Sequence, residues 1–264
     1  IGGVITEEED LTLQTPGSFW DRFKVDMRVH HEVTDINTDK KTVTVRDFKT
    51  GKIYEESYDK LILSPGAKPI HPDAHGMDND KVFTLRTVED TLGIHKFIDD
   101  SNVKKAAVIG GGFIGIEAAE NLARRGIEVT LIQRSSHVLP PFDYDMACII
   151  HTQMEKNGIN LLLNTEVDEV TENDNGLILK TSDGCEIESD MVLLAIGVAP
   201  DSSLAEKAGL ERGIKGSIVV NERMETSKED IYAVGDAVEV RHFVTGNKAV
   251  IALAGPANKQ GRIA

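Results

Sequence analysis

An α/β fold is what this 264-residue sequence predicts, and three observations carry the prediction. Between residues 104 and 132 the chain reads strand, glycine turn, helix, strand, which is the start of a βαβ unit. On either side of it, short segments alternate apolar and polar residues with the period of half-buried strands. The composition, 40% hydrophobic and 28% charged, is that of a folded chain and too apolar for a disordered one. At roughly 150 residues per domain the length corresponds to about two domains.

Taken in order, the chain opens acidically with Glu7-Glu8-Glu9-Asp10. Residues 25–36 then place Val25, Met27, Val29 and Val33 at odd positions, predicting a half-buried strand that turns at Asn37-Thr38-Asp39-Lys40. Residues 42–46 alternate Val43 and Val45, and residues 60–64 read as a buried strand stopped by Pro65-Gly66. A helix is predicted over 87–99, because Val88, Leu92, Ile94, Phe97 and Ile98 recur at near-helical spacing behind a Thr87/Asp90 capping box. The βαβ unit follows: strand 106–109, helix 113–125 and strand 128–132. A second helix, 143–157, is expected to bury Met146, Ile149, Ile150 and Met154 and to end at Gly158. Residues 165–170, 177–181 and 186–188 predict an antiparallel meander around Ser182-Asp183-Gly184. Residues 191–196 form a continuous apolar run expected in a buried strand, and 218–220 and 231–234 are the last strand candidates.

Charge and cysteine content exclude several functions. A net charge of −15, with no cluster of Lys and Arg, is repelled by a phosphate backbone, so nucleic acid is not an expected partner. The longest apolar stretch, residues 106–116, is broken by four glycines and predicts no membrane span. Cys148 and Cys185, 37 residues apart, form neither a disulfide framework nor a zinc pattern, so both are expected to be structural and the compartment reducing, namely the cytoplasm. His30-His31 reads as an ordinary strand pair, and no metal is expected. The chain starts at Ile1 without a signal-peptide pattern and reads as part of a longer protein.

The strongest chemical signal is Gly110-Gly111-Gly112-Phe113-Ile114-Gly115, a G-x-G-x-x-G placed where a strand ends and a helix begins. Gly110 allows a tight turn, Gly112 lets a pyrophosphate approach the backbone, and Gly115 lets the helix pack closely on its strand. The helix N-terminus then offers free N–H groups and partial positive charge to the phosphates. A dinucleotide site is expected here. At the end of the second strand, 18 residues after Gly115, an acidic side chain would bind ribose hydroxyls and repel a 2′-phosphate, but this chain has Gln133 followed by Arg134. Gln133 can still bond a hydroxyl, and Arg134 is either a 2′-phosphate partner or a solvated surface charge, so NADPH is not excluded.

Weaker pieces gain weight together. These are Tyr58-Asp59-Lys60-Leu61-Ile62-Leu63-Ser64-Pro65-Gly66-Ala67, Thr84-Leu85-Arg86-Thr87-Val88-Glu89-Asp90, and Ala195-Ile196-Gly197-Val198-Ala199-Pro200. To them add Ile231-Tyr232-Ala233-Val234-Gly235-Asp236-Ala237 and Leu253-Ala254-Gly255-Pro256-Ala257-Asn258-Lys259-Gln260-Gly261-Arg262. With the glycine loop, they make the chain resemble, over nearly its whole length, the FAD-dependent pyridine nucleotide-disulfide oxidoreductases, in particular the coenzyme A disulfide reductase and NADH oxidase branch.

The resemblance implies a Rossmann-like NAD(P)-binding domain, residues 104–225, inserted in a partial FAD-binding domain made of residues 1–103 and a return segment, 226–264. It implies that Ser64, Pro65, Gly66 and Ala67 lie beside FAD and that Gly235, Asp236 and Ala237 approach its ribityl chain. It places Glu117 and Gly197 near the nicotinamide, with Phe113 and Ile114 lining its approach to the flavin; from the residues alone Glu117 is equally an exposed first-turn acid. The family's first glycine loop, its redox cysteine and its carboxy-terminal dimerisation domain have no counterpart in these residues. No catalytic residue is therefore assigned, and the chain alone is expected to be inactive. In the whole protein the implied activity is hydride transfer from NAD(P)H to FAD and on to a small disulfide such as coenzyme A disulfide or polysulfide, in a homodimer. Dioxygen as the acceptor, making an NADH oxidase, is the alternative, and a nucleotide-binding module without catalysis is another.

Overall fold

The computed structural model describes residues 1–5, 7–174 and 176–264. The chain divides into two compact units, one of Ile1–Leu11 with Pro69–Gly197 and the other of Thr12–Lys68 with Val198–Ala264.

The first unit is built on a five-stranded sheet. Its elements are β1 (Val82–Thr84), α1 (Val88–Asp100), β2 (Lys105–Ile109), α2 (Phe113–Arg124), β3 (Glu128–Gln133), α3 (Tyr144–Lys156) and β4 (Asn160–Leu163). An antiparallel meander of β5 (Val167–Asn173), β6 (Gly176–Thr181) and β7 (Glu186–Ser189) precedes β8 (Met191–Leu194). The parallel sheet runs β1-β8-β2-β3-β4. Burial on both faces explains why β2 and β8 are apolar runs rather than alternating strands. Val108, Leu131 and Leu193 point to the side packed by Ile94, Ile98, Ala119, Leu122 and Met154 of the helices. Ala107, Ile109, Ile132, Val192 and Leu194 point to the other, where Val170, Leu177 and Leu179 of the meander cover them. Each such fully buried Leu or Val stabilises the unit by about 1.5–3 kcal/mol.

Local sequence fixes the ends of these elements. At the start of α1 the Asp90 N–H donates to Thr87 Oγ1 (3.2 Å) and the Thr87 N–H donates to Asp90 Oδ2 (2.8 Å), the expected capping box. Gly158, at φ +77°, turns the chain out of α3.

The second unit holds a three-stranded antiparallel sheet (His31–Asn37, Thr42–Asp47, Ile53–Ser57) and a parallel pair (Leu61–Leu63 with Ile231–Ala233). Ile36, Val43, Val45, Leu63, Ile231 and Val238 belong to its core.

Several expectations need correction. The first strand begins at His31, not residue 25; Val25, Met27 and Val29 are exposed, and pairing with the next strand starts only at His31 with Asp47. A bulge between Val33 and Asp35 then shifts the register, so the inward residue is Ile36. A short helix, Pro16–Phe23, was not foreseen, nor was β4. On α3, Met146 and Ile149 are exposed, whereas Ala147, His151 and Met154 are buried. Cys148 and Cys185 are both free, and Cys185 is exposed rather than packed; the neighbouring Asp183 carboxylate pushes its thiol pKa up and so keeps it protonated.

Candidate functional site

In open parallel sheets, ligands bind beyond the carboxyl ends of the strands, and the first unit gathers its expected site residues there. The loop Gly110-Gly111-Gly112 leaves β2, Gln133 ends β3, and Ala195-Ile196-Gly197 leaves β8, whose strand lies next to β2.

The three motif glycines differ in ways that their steric surroundings make explicit. Gly110 has φ +107°, and a Cβ there would lie 2.4 Å from the Ala195 carbonyl oxygen. Gly115 is buried in α2, where a Cβ would lie 1.9 Å from the Gly110 carbonyl oxygen. These two therefore serve the turn and the close helix packing. Gly112 has ordinary backbone angles, φ −81° and ψ −175°, and a Cβ would meet nothing within 4 Å. Its lack of a side chain answers no need of the fold and leaves open space at the start of α2.

Gly112 is also the N-cap of α2 and supplies no side-chain cap, so the first-turn N–H groups of the helix point toward that space without a side-chain acceptor. Phe113 (59% exposed) and Ile114 (42% exposed) follow it, large apolar side chains left in solvent. Glu117 is exposed on the next turn and makes no ion pair among the described residues. Gly197 lies at φ +125°, and its carbonyl accepts the Ile70 N–H (3.1 Å).

The loop is braced from behind. The Gly110 N–H donates to the Ile132 carbonyl (2.8 Å), and the Leu139 N–H donates to the Gly111 carbonyl (2.7 Å). The neighbouring Val138 N–H donates to Nε2 of His151 (3.2 Å), the buried histidine of α3. Burial, and then the nearby His137, lower the pKa of His151 below its ordinary 6.5. Its stabilising effect is therefore complete above about pH 6.5. As pH falls below that value the unfolded chain takes up a proton that the folded one refuses, and stability declines until the folded-state pKa is passed. In urea titrations between about pH 7.5 and 5.5, we expect a downward slope of stability with acid that His151→Leu flattens; an unchanged slope would assign it to other groups. The depressed carboxylates, such as Glu239 held by Lys248, act only near and below their ordinary 4.5 and do not overlap this window.

Arg134 follows Gln133 with its side chain 81% exposed, 3.8 Å from Glu166, a loose surface pair that leaves the guanidinium available.

The second unit assembles the other expected residues at one strand edge. Ser64-Pro65-Gly66-Ala67 leaves Leu61–Leu63, and Gly235-Asp236-Ala237 leaves the paired Ile231–Ala233, so both turns emerge side by side. Gly66 (φ +74°) and Gly235 (φ +81°) make the turns. The Gly235 N–H donates to Oε1 of Gln260 (2.7 Å), a buried side chain. Asp236 is half-buried and makes no hydrogen bond or ion pair among the described residues. Sequence reasoning missed Gln260 and His151. The available signal in both was a polar residue at an inward helical position, three or four residues from an apolar one.

The profile of the pyridine nucleotide-disulphide oxidoreductase family matches residues 6–261. A protein named NADH oxidase from Methanocaldococcus jannaschii is 38% identical over 265 residues, covering 100% of this chain and 58% of that protein. A coenzyme A disulfide reductase from Staphylococcus aureus is 39% identical over 243 residues, covering 92% of this chain and 54% of that one. The crystal structure of reduced Bacillus anthracis CoADR-RHD superposes with a TM-score of 0.96 at 48% identity, covering 99% of this chain and 47% of that one. The chain thus spans about half the length of these relatives.

Proposed function

The chain belongs to the pyridine nucleotide-disulphide oxidoreductase family, and on that footing we propose that it is the nicotinamide-nucleotide-binding and flavin-contacting part of a flavoprotein reductase. The observation that carries this reading is Gly112: an unneeded glycine, open to solvent, at an uncapped helix start between two glycines that the fold does need. Gly112 and the first turn of α2 would then hold the pyrophosphate of NADH or NADPH, the end of β3 would meet the adenosine ribose, and Phe113, Ile114, Glu117 and Gly197 would surround the nicotinamide end. In this reading residues 104–225 serve the nicotinamide nucleotide, and 1–103 with 226–264 serve the flavin. Residues 104–197 of the former lie within the first compact unit.

FAD, when bound, takes the hydride of the reduced nicotinamide and hands on two electrons. The chain's own contribution is to bind and orient: Ser64 to Ala67 would line the flavin, and the Asp236 carboxylate would accept hydroxyl hydrogens of the ribityl chain. A single G-x-G-x-x-G occurs in these 264 residues, so they offer one pyrophosphate cradle rather than two. The whole protein, a cytoplasmic homodimer in this reading, reduces a small disulfide such as coenzyme A disulfide or polysulfide. Reduction of dioxygen is the second reading, favoured by the NADH oxidase that aligns with 100% of this chain.

Calorimetric titration of residues 1–264 tests the proposal. NADH or NADPH is expected to bind with one site per chain and FAD far more weakly; failure of both nicotinamide nucleotides to bind would overturn it. Steady-state assays of the full-length protein with coenzyme A disulfide, polysulfide and oxygen separate the two acceptors.

A further inference from the structure

Gln133 occupies the position where a ribose-reading side chain is expected, yet it faces the other way. Its side chain is 9% exposed, and both ends of its amide are engaged inside the unit. Oε1 accepts the Gly111 N–H at 2.8 Å. Nε2 donates to Ser135 Oγ and, at 3.4 Å, to the His137 carbonyl, which also receives the Ser135 hydroxyl at 2.9 Å. A Cβ on Gly111 would come within 3.4 Å of the Gln133 amide carbon, so the glycine packs directly on the side chain that holds it.

From this geometry we infer that Gln133 is a positioning residue for the glycine loop and that discrimination between NADH and NADPH does not pass through it. The inference rests on the nucleotide-binding reading above and refines it. Gly111 is held on both sides, its N–H in the Gly110–Gly111 peptide by Gln133 and its carbonyl in the Gly111–Gly112 peptide by the Leu139 N–H. Fixing these two consecutive peptide planes sets the direction in which the chain enters Gly112 and the first turn of α2. The Gly111 N–H, already spent on Gln133, is not among the phosphate donors; those are the amides beyond it.

Only a carboxamide meets both demands, an acceptor toward Gly111 and a donor toward Ser135 and His137. Leucine of similar size offers neither and leaves a buried N–H unpaired. Glutamate keeps the acceptor toward Gly111, while the Ser135 hydroxyl can turn to donate to its second oxygen; the two contacts to the His137 carbonyl, from Nε2 and from the Ser135 hydroxyl, are then lost. Glutamate is thus the conservative variant, and it is also the substitution that would exclude a 2′-phosphate if the side chain reached the ribose.

The test uses wild type, Gln133→Leu, Gln133→Glu and Ser135→Ala in the 264-residue chain, with three readouts. These are NADH affinity, NADPH affinity, and the amide proton shift and exchange rate of Gly111 by nuclear magnetic resonance. Gln133→Leu is expected to weaken NADH and NADPH by a similar factor, about tenfold, and to move the Gly111 amide proton upfield with faster exchange. Gln133→Glu is expected to keep the Gly111 hydrogen bond and leave the ratio of the two affinities within about twofold of wild type. A tenfold or larger shift of that ratio toward NADH in Gln133→Glu, or a Gly111 amide indifferent to Gln133→Leu, would overturn the inference. Should Gln133→Leu not fold, Ser135→Ala, which removes one acceptor of Nε2, is expected to give the same parallel loss in smaller measure, and a change in the ratio would count against it. If the wild type binds neither nucleotide, the functional reading fails, while the Gly111 amide still decides what Gln133 does.

Discussion

Replacing Gly112 by valine is expected to abolish nicotinamide nucleotide binding while leaving the protein folded. The backbone there is extended, at φ −81° and ψ −175°, which a β-branched residue adopts without strain. A Cβ finds no atom within 4 Å, so no core side chain or carbonyl has to move. Melting temperature is therefore expected to stay within about 2 °C of wild type, since a solvent-facing change away from packed groups costs less than about 0.5 kcal/mol. For a pyrophosphate the same side chain is an obstruction. The isopropyl group fills the space through which the phosphate oxygens reach the first-turn N–H groups. Hydrogen bonds to a charged group contribute about 1.5–3 kcal/mol each, so loss of two weakens binding on the order of 10²- to 10⁴-fold. Titration calorimetry with NADH and NADPH, beside a thermal melt, reads both quantities. Undiminished affinity in the folded variant would mean that the loop serves packing alone.

How far the sequence could be read depended on whether a residue's role is local. The glycine loop, the Thr87/Asp90 capping box and the Gly158 terminator are set by neighbours within a few positions, and each stands where periodicity and turn chemistry place it. Where a distant partner decides, the reading failed. Val25, Met27 and Val29 alternate as a strand should, but the neighbouring strand begins its pairing at His31, so those residues lie outside the ladder. The valine alternation then predicts the wrong parity beyond Val33, because the bulge inserts a residue that no pattern announces. On α3 the stripe containing Met146 and Ile149 was the more apolar one, yet the helix turns Ala147 and His151 inward because His151 supplies the acceptor for the Val138 N–H. Gln133 illustrates the same limit at the candidate site. Its position at the end of β3 was legible, but the direction of its side chain depends on the Gly111 N–H, 22 residues earlier. The two turns proposed for the flavin were legible only as a set, since neither Ser64 to Ala67 nor Gly235 to Ala237 is distinctive until the parallel pairing of their strands brings them to one edge.

Gly110→Ala makes the opposite expectation from Gly112→Val, and the pair separates the two kinds of glycine in one loop. At φ +107° any Cβ is strained, at a cost of about 1–3 kcal/mol. The added methyl also meets backbone rather than a flexible side chain: the Ala195 carbonyl oxygen at 2.4 Å, its carbon at 2.6 Å and the Ile196 nitrogen at 2.9 Å. Neither partner is free to yield. Ala195 is tied by its N–H to the Ile109 carbonyl (2.7 Å), and Gly110 by its own N–H to the Ile132 carbonyl (2.8 Å), so relief requires β2, β3 and the turn after β8 to separate. Overpacking of this kind costs about another 1–3 kcal/mol, for a total of about 2–6 kcal/mol, or a melting temperature lower by about 10 °C. Gly112→Ala, the same chemical change two residues later, is the control and is expected to melt with the wild type. If Gly110→Ala also melts with the wild type, the turn at the end of β2 must relax in a way its hydrogen bonds do not suggest, and the division of roles among the three glycines falls with it.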